Sequence, residues 1–131
     1  MPEKLRLGII GCGDITQFIV LFCKLNRGIQ VVAACDVHAE RAEKFARKIK
    51  SDQVYLDYKD MIAKEKLDAV YISVPHFLHH PMILDCLNAG LDVLCEKPIT
   101  TTYQDALDIV RAARETGKKV GINYQYRYDS G

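Results

Sequence analysis

A glycine-rich segment near the start of the chain has the spacing of a phosphate-binding turn. It runs from Gly8 to Thr16 as GIIGCGDIT and joins an apolar run to a predicted helix. In such a turn one glycine permits the tight bend, and a second lets the backbone approach a pyrophosphate at the helix N-terminus. Gly11 and Gly13 hold these positions, and Thr16 holds the third, where glycine or alanine is usual. The segment predicts a dinucleotide site that includes Gly11, Cys12, Gly13, Asp14 and Ile15.

Two acidic residues bear on this site. Asp14 would repel a pyrophosphate, so we expect its carboxylate to cap the helix and point toward solvent. Asp36 ends the next apolar run, roughly 20 residues after Gly13, where an acid accepts hydrogen bonds from the adenosine ribose. Because a carboxylate also repels a 2′-phosphate, Asp36 favours NAD over NADP. Arg41, further along, is placed to reach the adenine or a 2′-phosphate. The alternative is that Asp36 only caps the next helix.

The elements that must position these residues alternate between strands and helices. Short apolar runs predict strands at Leu5–Ile10, Gln30–Cys35, Gln53–Leu56, Ala69–Val74, Leu91–Cys95 and Lys119–Asn123. Helices are predicted at Asp14–Asn26, His38–Lys50, Tyr58–Lys66 and Pro81–Ala89, and from a Thr101–Gln104 capping box to Gly117. Right-handed crossovers place such helices on both faces of a parallel sheet. We therefore expect one α/β domain over residues 1–131, a doubly wound Rossmann fold of about six strands in the order 3-2-1-4-5-6.

The first predicted helix is apolar on more than one side. Its apolar residues are Ile15, Phe18, Ile19, Val20, Leu21, Phe22, Cys23 and Leu25. A helix of this kind must be buried on most of its sides. Two explanations of these apolar residues stay open. The helix is buried inside this domain, or it contacts another domain or subunit.

Three later segments complete a pattern with the glycine turn. They are Ser73–His79 (SVPHFLH), Glu96-Lys97-Pro98 and Gly121–Arg127 (GINYQYR). Together and in this order, the four motifs resemble the N-terminal domain of the glucose–fructose oxidoreductase, inositol dehydrogenase and rhizopine-catabolism (Gfo/Idh/MocA) family. The resemblance covers essentially the whole chain. It implies the NAD(P)-binding domain of an oxidoreductase that acts on a carbinol or carbonyl of a sugar, cyclitol or related polyol.

Ligands of such sheets bind at the carboxyl ends of the strands, near the point where the strand order reverses. The later motifs follow strands four, five and six, so we expect them to meet at the nicotinamide end. The resemblance implies that Lys97 is catalytic, in proton transfer or in orienting the substrate oxygen. The alternative is a surface lysine paired with Glu96. The resemblance also implies cofactor contacts for Ser73, Pro75, His76, His79, Glu96, Lys97, Asn123 and Gln125. At His76 the family more commonly has asparagine.

A histidine cluster raises the question of a metal. His76, His79 and His80 lie close together in the sequence, but no acid or cysteine joins them at ligand spacing. We therefore expect no metal site. His80 is expected to face solvent at the start of its helix.

Composition narrows the classes of function. The net charge is +1 with acids and bases interspersed, which argues against a nucleic-acid partner. No apolar stretch reaches the roughly 18 residues of a membrane span, so no membrane partner is expected. The five cysteines are odd in number and form no C-x-x-C pair, as is typical of free thiols in a reducing compartment. With no secretory signal in view, we expect a cytoplasmic protein.

Members of the family continue into a second domain that supplies most substrate contacts and a histidine acid/base. We find no such sequence here, and expect either a cut domain or a truncated relative of a homo-oligomeric parent. A sugar or polyol substrate would bind through the missing domain. Because positioning contributes about 7–11 kcal/mol to catalysis, this chain alone should bind dinucleotide weakly and turn over little. A non-catalytic dinucleotide-binding or redox-sensing module is the alternative. A methyltransferase would leave Glu96-Lys97-Pro98 unexplained.

Overall fold

The computed structural model describes residues 3–124, which form a six-stranded parallel sheet with helices on both faces. The strands are β1 (Leu5–Ile10), β2 (Ile29–Cys35), β3 (Val54–Tyr55), β4 (Ala69–Ile72), β5 (Asp92–Glu96) and β6 (Val120–Asn123). The helices are α1 (Asp14–Leu25), α2 (Ala39–Ile49), α3 (Tyr58–Lys64), α4 (His79–Asn88) and α5 (Tyr103–Thr116). A single 3₁₀ turn, His76–Leu78, precedes α4. The strand order β3-β2-β1-β4-β5-β6 confirms the predicted fold.

The sheet separates two apolar cores because successive side chains of a strand point to opposite faces. On one face, Ile9 and Tyr71 pack with residues of α1 and α2, including Val20 and Phe45. On the other face, alternate strand residues such as Ile10 pack with α3, α4 and α5. Strands buried on both faces read as continuous apolar runs, which is why they are visible in the sequence.

Helix ends follow the predicted signals with two exceptions. Gly117, in the left-handed region at φ 69°, ends α5 as predicted. The start of α5 differs, because Thr102 and not Thr101 accepts a hydrogen bond, from the amide of Asp105 at 3.1 Å. The predicted capping box at Thr101 is therefore wrong by one residue. Asp14 is exposed as expected, but Gly13 is the N-cap of α1 and no side chain caps this helix.

Helix α1 is apolar on two faces, and the described residues cover only one of them. Val20 and Cys23 are buried against the sheet. The opposite face carries five exposed apolar side chains, Ile15 (56%), Phe18 (69%), Leu21 (55%), Phe22 (67%) and Leu25 (74%). Burial of the whole helix inside this domain, one of the two expectations, is therefore wrong for residues 3–124. Among those same residues, the helices are too short or too polar to cross a bilayer.

Candidate functional site

The glycine turn is built around a position that accepts only glycine. Gly11 follows β1 with φ +96°, and a Cβ placed there would lie 1.9 Å from the carbonyl oxygen of Ser73. The close approach arises because β1 lies between β2 and β4. The Gly11 amide donates to the Cys35 carbonyl at 2.8 Å, and the Ser73 amide donates to the Ile10 carbonyl at 2.8 Å. A side chain at this position would push the central strands apart.

Gly13 is free of such contacts and fits the second glycine position for a different reason. A Cβ at Gly13 would meet nothing within 4 Å, so the backbone is open to a ligand. Gly13 caps α1 without a side-chain acceptor, which leaves the first helix amides to solvent or to a bound anion. Thr16 is fully buried, and its hydroxyl donates to the Gly11 carbonyl at 2.7 Å. The residues of this turn therefore fit a pyrophosphate.

Asp36 is held against the glycine turn by two main-chain amides. Its Oδ2 accepts from the Cys12 amide at 2.9 Å, and its Oδ1 accepts from the His38 amide at 2.8 Å. Helix α2 has His38 as its N-cap and no side-chain cap, so Asp36 does not serve as a helix cap. Each carboxylate oxygen keeps a second lone pair with which it can accept a further hydrogen bond.

A groove of about 570 Å³ runs along the carboxyl ends of β1, β2 and β4. It brings together six of the predicted cofactor residues, Gly11, Gly13, Asp36, Arg41, Ser73 and Pro75. Sequence reasoning missed its apolar walls, formed by Leu56, Tyr58, Val74, Leu78 and Met82. Cys12 and Asp14 line a smaller neighbouring pocket, together with Arg41 and two lysines of α2, Lys44 and Lys48. Ile15 is exposed in the first turn of α1.

Glu96 lies at the end of β5 in a network that joins three strands. Its Oε1 accepts from the hydroxyl of Tyr71 on β4 and from Nδ2 of Asn123 on β6 at 2.7 Å. Burial and the bond to Glu96 hold the pKa of Tyr71 far above its ordinary value, so the phenol remains a donor. Sequence reasoning missed Tyr71. The alternation of side chains along the strands could have revealed it. Tyr71 on β4 pairs with Leu94 on β5, and Glu96, two residues after Leu94, points to the same face of the sheet as Tyr71.

Lys97 follows Glu96 directly and is exposed at the same edge of the sheet. Among the ion pairs of the described residues, none joins Lys97 to Glu96, whose Oε1 is taken up by Tyr71 and Asn123. The Lys97–Pro98 peptide bond is cis. The ammonium group is thus available to a ligand at the carboxyl end of β5.

The histidines of the 3₁₀ turn and α4 have three different surroundings. His79 is fully buried, with Nδ1 at 2.7 Å from the Pro98 carbonyl oxygen and Nε2 at 3.0 Å from that of Val74. Both of its ring nitrogens are therefore engaged, and none is left for the expected cofactor contact. His76 is exposed, and its ring lies edge-on to His79 with centroids 5.7 Å apart.

His80 does not face solvent as expected. Its ring is only one-quarter exposed and lies between two aspartates of α5, 3.8 Å from Asp105 and 3.4 Å from Asp108. These two acids, distant in sequence, join His80 in a group with the composition of a metal site. The expectation of no metal site rested on sequence spacing, and the fold brings two acids to His80 that this spacing does not show. Gln125, a further predicted cofactor residue, lies outside the described residues.

The cysteines are free and buried, as their spacing predicts. Burial raises the pKa of Cys12, within the glycine turn, from 9.0 to about 12. Since the thiolate is the nucleophilic form, this cysteine is inert at neutral pH. The thiol of the glycine turn therefore offers no nucleophile to a ligand at this edge of the sheet.

Residues 5–124 match the model of a family described as "Oxidoreductase family, NAD-binding Rossmann fold". An inositol 2-dehydrogenase/D-chiro-inositol 3-dehydrogenase of Shouchella clausii is 38% identical over 130 residues, which cover 96% of this chain and 37% of that protein. A dehydrogenase of Bordetella pertussis, solved with NADH and UDP-GlcNAcA, superposes with a TM-score of 0.92 at 26% identity, over 97% of this chain and 37% of that one. A 3-ketoreductase of Actinomadura kijaniata, solved with NADP and TDP-benzene, superposes with a TM-score of 0.90 at 29% identity, over 97% of this chain and 39% of that one.

The chain thus spans between 37% and 39% of the length of these proteins. The shared part is the domain that carries the glycine turn, the groove and the Glu96-Lys97-Pro98 edge. The chain belongs to the Gfo/Idh/MocA oxidoreductase family and comprises its NAD(P)-binding Rossmann domain.

Proposed function

We propose that this chain is the NAD(H)-binding domain of a dehydrogenase or reductase that acts on a secondary carbinol or its carbonyl in a sugar, cyclitol or related polyol. The observation that carries the proposal is that one edge of the sheet carries the glycine turn after β1, the Asp36 carboxylate after β2 and Lys97 after β5. The turn and Asp36 provide an anion and ribose site after β1 and β2. Lys97 provides one mobile proton after β5, beyond the groove.

A bound nicotinamide ring supplies the hydride acceptor or donor. The residues of this chain bind the cofactor and transfer a proton to or from the substrate oxygen. The open backbone at Gly13 and the uncapped amides of α1 hold the pyrophosphate. Asp36 accepts from the ribose hydroxyls. Lys97 donates a proton from Nζ to the substrate oxygen when the carbonyl is reduced, and it accepts the hydroxyl proton at Nζ when the carbinol is oxidised.

Asp36 supports NAD as the preferred cofactor. Its carboxylate is fixed at the end of β2 by two amides, so it cannot easily swing away from a 2′-phosphate. Arg41 and Lys44 lie nearby and lower the cost of binding NADP, which is why we propose a preference and not exclusion. One of the relatives was solved with NADH and the other with NADP.

One named relative is an inositol dehydrogenase and another was solved with UDP-GlcNAcA, which supports a polyhydroxylated substrate. We propose that the substrate contacts come from a second domain, and that the full-length protein is a homo-oligomer. The exposed apolar face of α1 supports a covering domain or subunit. The buried free thiols support a reducing, cytoplasmic compartment.

Titration calorimetry of the purified chain tests the proposal. We expect NAD and NADH to bind, NADP to bind at least several-fold more weakly, and S-adenosylmethionine not to bind. The Gly28→Ala variant, altered at the opposite end of the sheet, is the control and should match the wild type. Binding of S-adenosylmethionine in preference to dinucleotides, or of no nucleotide at all, would refute the proposal.

The role of Lys97 needs a form of the protein that turns over substrate. There, Lys97→Met should lower kcat by about 10²–10⁴-fold, the contribution of a positioned acid/base, and should change the affinity for NADH far less. The 131-residue chain itself should show no dehydrogenase activity with inositols. Unchanged turnover in Lys97→Met would remove Lys97 from the mechanism.

A further inference from the structure

We propose that His79 is a positioning residue that fixes the Lys97 loop against the groove, so that the nicotinamide half of the cofactor is held separately from the ADP-ribose half. The assignment rests on the proposed function. It gives His79 a role that differs from direct contact with the cofactor, since the ring is fully buried and both nitrogens are occupied.

The two partners of His79 belong to different strand ends. Nδ1 lies 2.7 Å from the carbonyl oxygen of Pro98, which follows Lys97 after β5. Nε2 lies 3.0 Å from the carbonyl oxygen of Val74, which precedes Pro75 after β4 and lines the groove. The imidazole therefore bridges the groove wall and the segment that carries Lys97. No other side chain of the described residues hydrogen-bonds to the Pro98 carbonyl.

Histidine suits this bridge because its polar atoms lie on two edges of one flat ring. Asparagine and glutamine carry their oxygen and nitrogen on one end, so neither can span two carbonyls that face each other across a ring. A neutral imidazole donates from one ring nitrogen to one of the two carbonyls and places the other nitrogen against the second, whereas an imidazolium donates to both. Phenylalanine would fill the space and would leave neither carbonyl with a donor. Partly buried carbonyls that lose a donor move toward water or another donor. The loops at the ends of β4 and β5 would then shift relative to each other.

The hydrogen bonds that fix the glycine turn and Asp36 do not depend on this bridge, although Val74 also lines the groove. The glycine turn is fixed by hydrogen bonds of Gly11 and Thr16, and Asp36 is fixed by the amides of Cys12 and His38. None of these bonds involves His79 or its two partners. Loss of the bridge should therefore weaken only interactions at the nicotinamide end, whereas a general loss of structure would weaken every ligand.

The test compares two ligands that differ in the nicotinamide. NADH and ADP-ribose are titrated into the wild-type chain, His79→Phe, His79→Gln and the control His80→Gln, which alters the neighbouring residue outside the bridge. We expect His79→Phe to weaken NADH about tenfold and to leave ADP-ribose within twofold. His79→Gln, which keeps one N–H donor, should fall between wild type and His79→Phe. The fluorescence of bound NADH should move toward that of free NADH in both variants.

Each outcome bears on one proposal. Equal weakening of NADH and ADP-ribose in His79→Gln, or no weakening of either, would overturn the positioning role of His79. If His79→Phe does not fold, as judged by its far-UV circular dichroism, His79→Gln carries the comparison alone. A folded wild-type chain that binds neither ligand would instead refute the proposed function.

Discussion

Alanine substitutions at the two glycines of the turn should have different effects. Gly13→Ala should weaken cofactor binding, whereas Gly11→Ala should lower the stability of the fold. Gly13→Ala places a methyl group in open space, at a backbone conformation of φ −82° and ψ −172° that alanine adopts without strain. Alanine is a poorer N-cap than glycine by somewhat under 1 kcal/mol, and the loss of backbone freedom in the unfolded chain offsets about 0.4–1 kcal/mol. The net change in the free energy of unfolding should be within about 1 kcal/mol.

The same methyl group lies where the backbone must approach a pyrophosphate. It should lengthen or break one or two hydrogen bonds from the α1 amides to a charged phosphate, each contributing about 1.5–3 kcal/mol. We therefore expect the Kd for NADH to rise by at least about tenfold, measured by calorimetry or by NADH fluorescence. Thermal unfolding of the same samples should show a Tm within a few degrees of the wild type.

Gly11→Ala provides the contrast. Its Cβ would lie 1.9 Å from the Ser73 oxygen at φ +96°, so the central strands must shift. The positive φ alone costs about 1–3 kcal/mol, and the clash adds to it. This variant should therefore unfold at a much lower temperature. The reasoning is refuted if folded Gly13→Ala binds NADH as tightly as the wild type, or if Gly11→Ala is as stable as Gly13→Ala.

Three further predictions concern charge and hydrogen bonding. Asp36→Asn should reduce the preference for NADH over NADPH at least several-fold, because the carboxylate that repels a 2′-phosphate is gone; unchanged Kd values for both cofactors in calorimetry would contradict this. Tyr71→Phe removes a donor to Glu96 and should lower the free energy of unfolding by about 1.5–3 kcal/mol in urea, whereas Tyr124→Phe, at an exposed tyrosine, should have no effect. Burial raises the pKa of four thiols from 9.0 to about 12, at Cys12, Cys35, Cys86 and Cys95. The thiols lose their protons at lower pH in the unfolded chain than in the folded chain. The stability that the protonated thiols contribute is therefore complete below pH 9, and it is lost as the pH rises toward 12. Urea unfolding should show stability falling by about 1 kcal/mol per thiol per pH unit above 9, and a flat profile would contradict the burial of the thiols.

Local signals in the sequence were sufficient for the architecture. Strands buried on both faces are continuous apolar runs, and glycine after a helix marks its end, as at Gly117. The order of the six strands was predicted because the glycine turn after the first strand is typical of the dinucleotide-binding fold, which has this order. The start of α5 was misplaced by one residue because Thr101 and Thr102 both offer a capping hydroxyl, and the choice depends on how the preceding loop enters the helix.

Contacts between distant residues account for what the sequence could not predict in the site. His79 was expected to touch a cofactor, but the fold surrounds it with two carbonyls from separate loops. His80 was expected in solvent, and the packing of α5 on α4 brings Asp105 and Asp108 to it. No periodicity relates such residues. Tyr71, by contrast, could have been found from strand parity with Glu96.

The two amide bonds to Asp36 have a consequence for how cofactor preference evolves. A mutation to alanine removes the negative charge by which we propose that Asp36 opposes NADP, but it also leaves the Cys12 amide in the turn without its acceptor. The change of preference then carries a folding penalty of about 1–3 kcal/mol, a large part of a domain's marginal stability. Asparagine retains an oxygen on Cγ, at the same reach as Oδ2, for that amide. Descendants that adopt NADP should therefore carry asparagine at position 36 more often than alanine, because selection acts there on the fold as well as on the ligand.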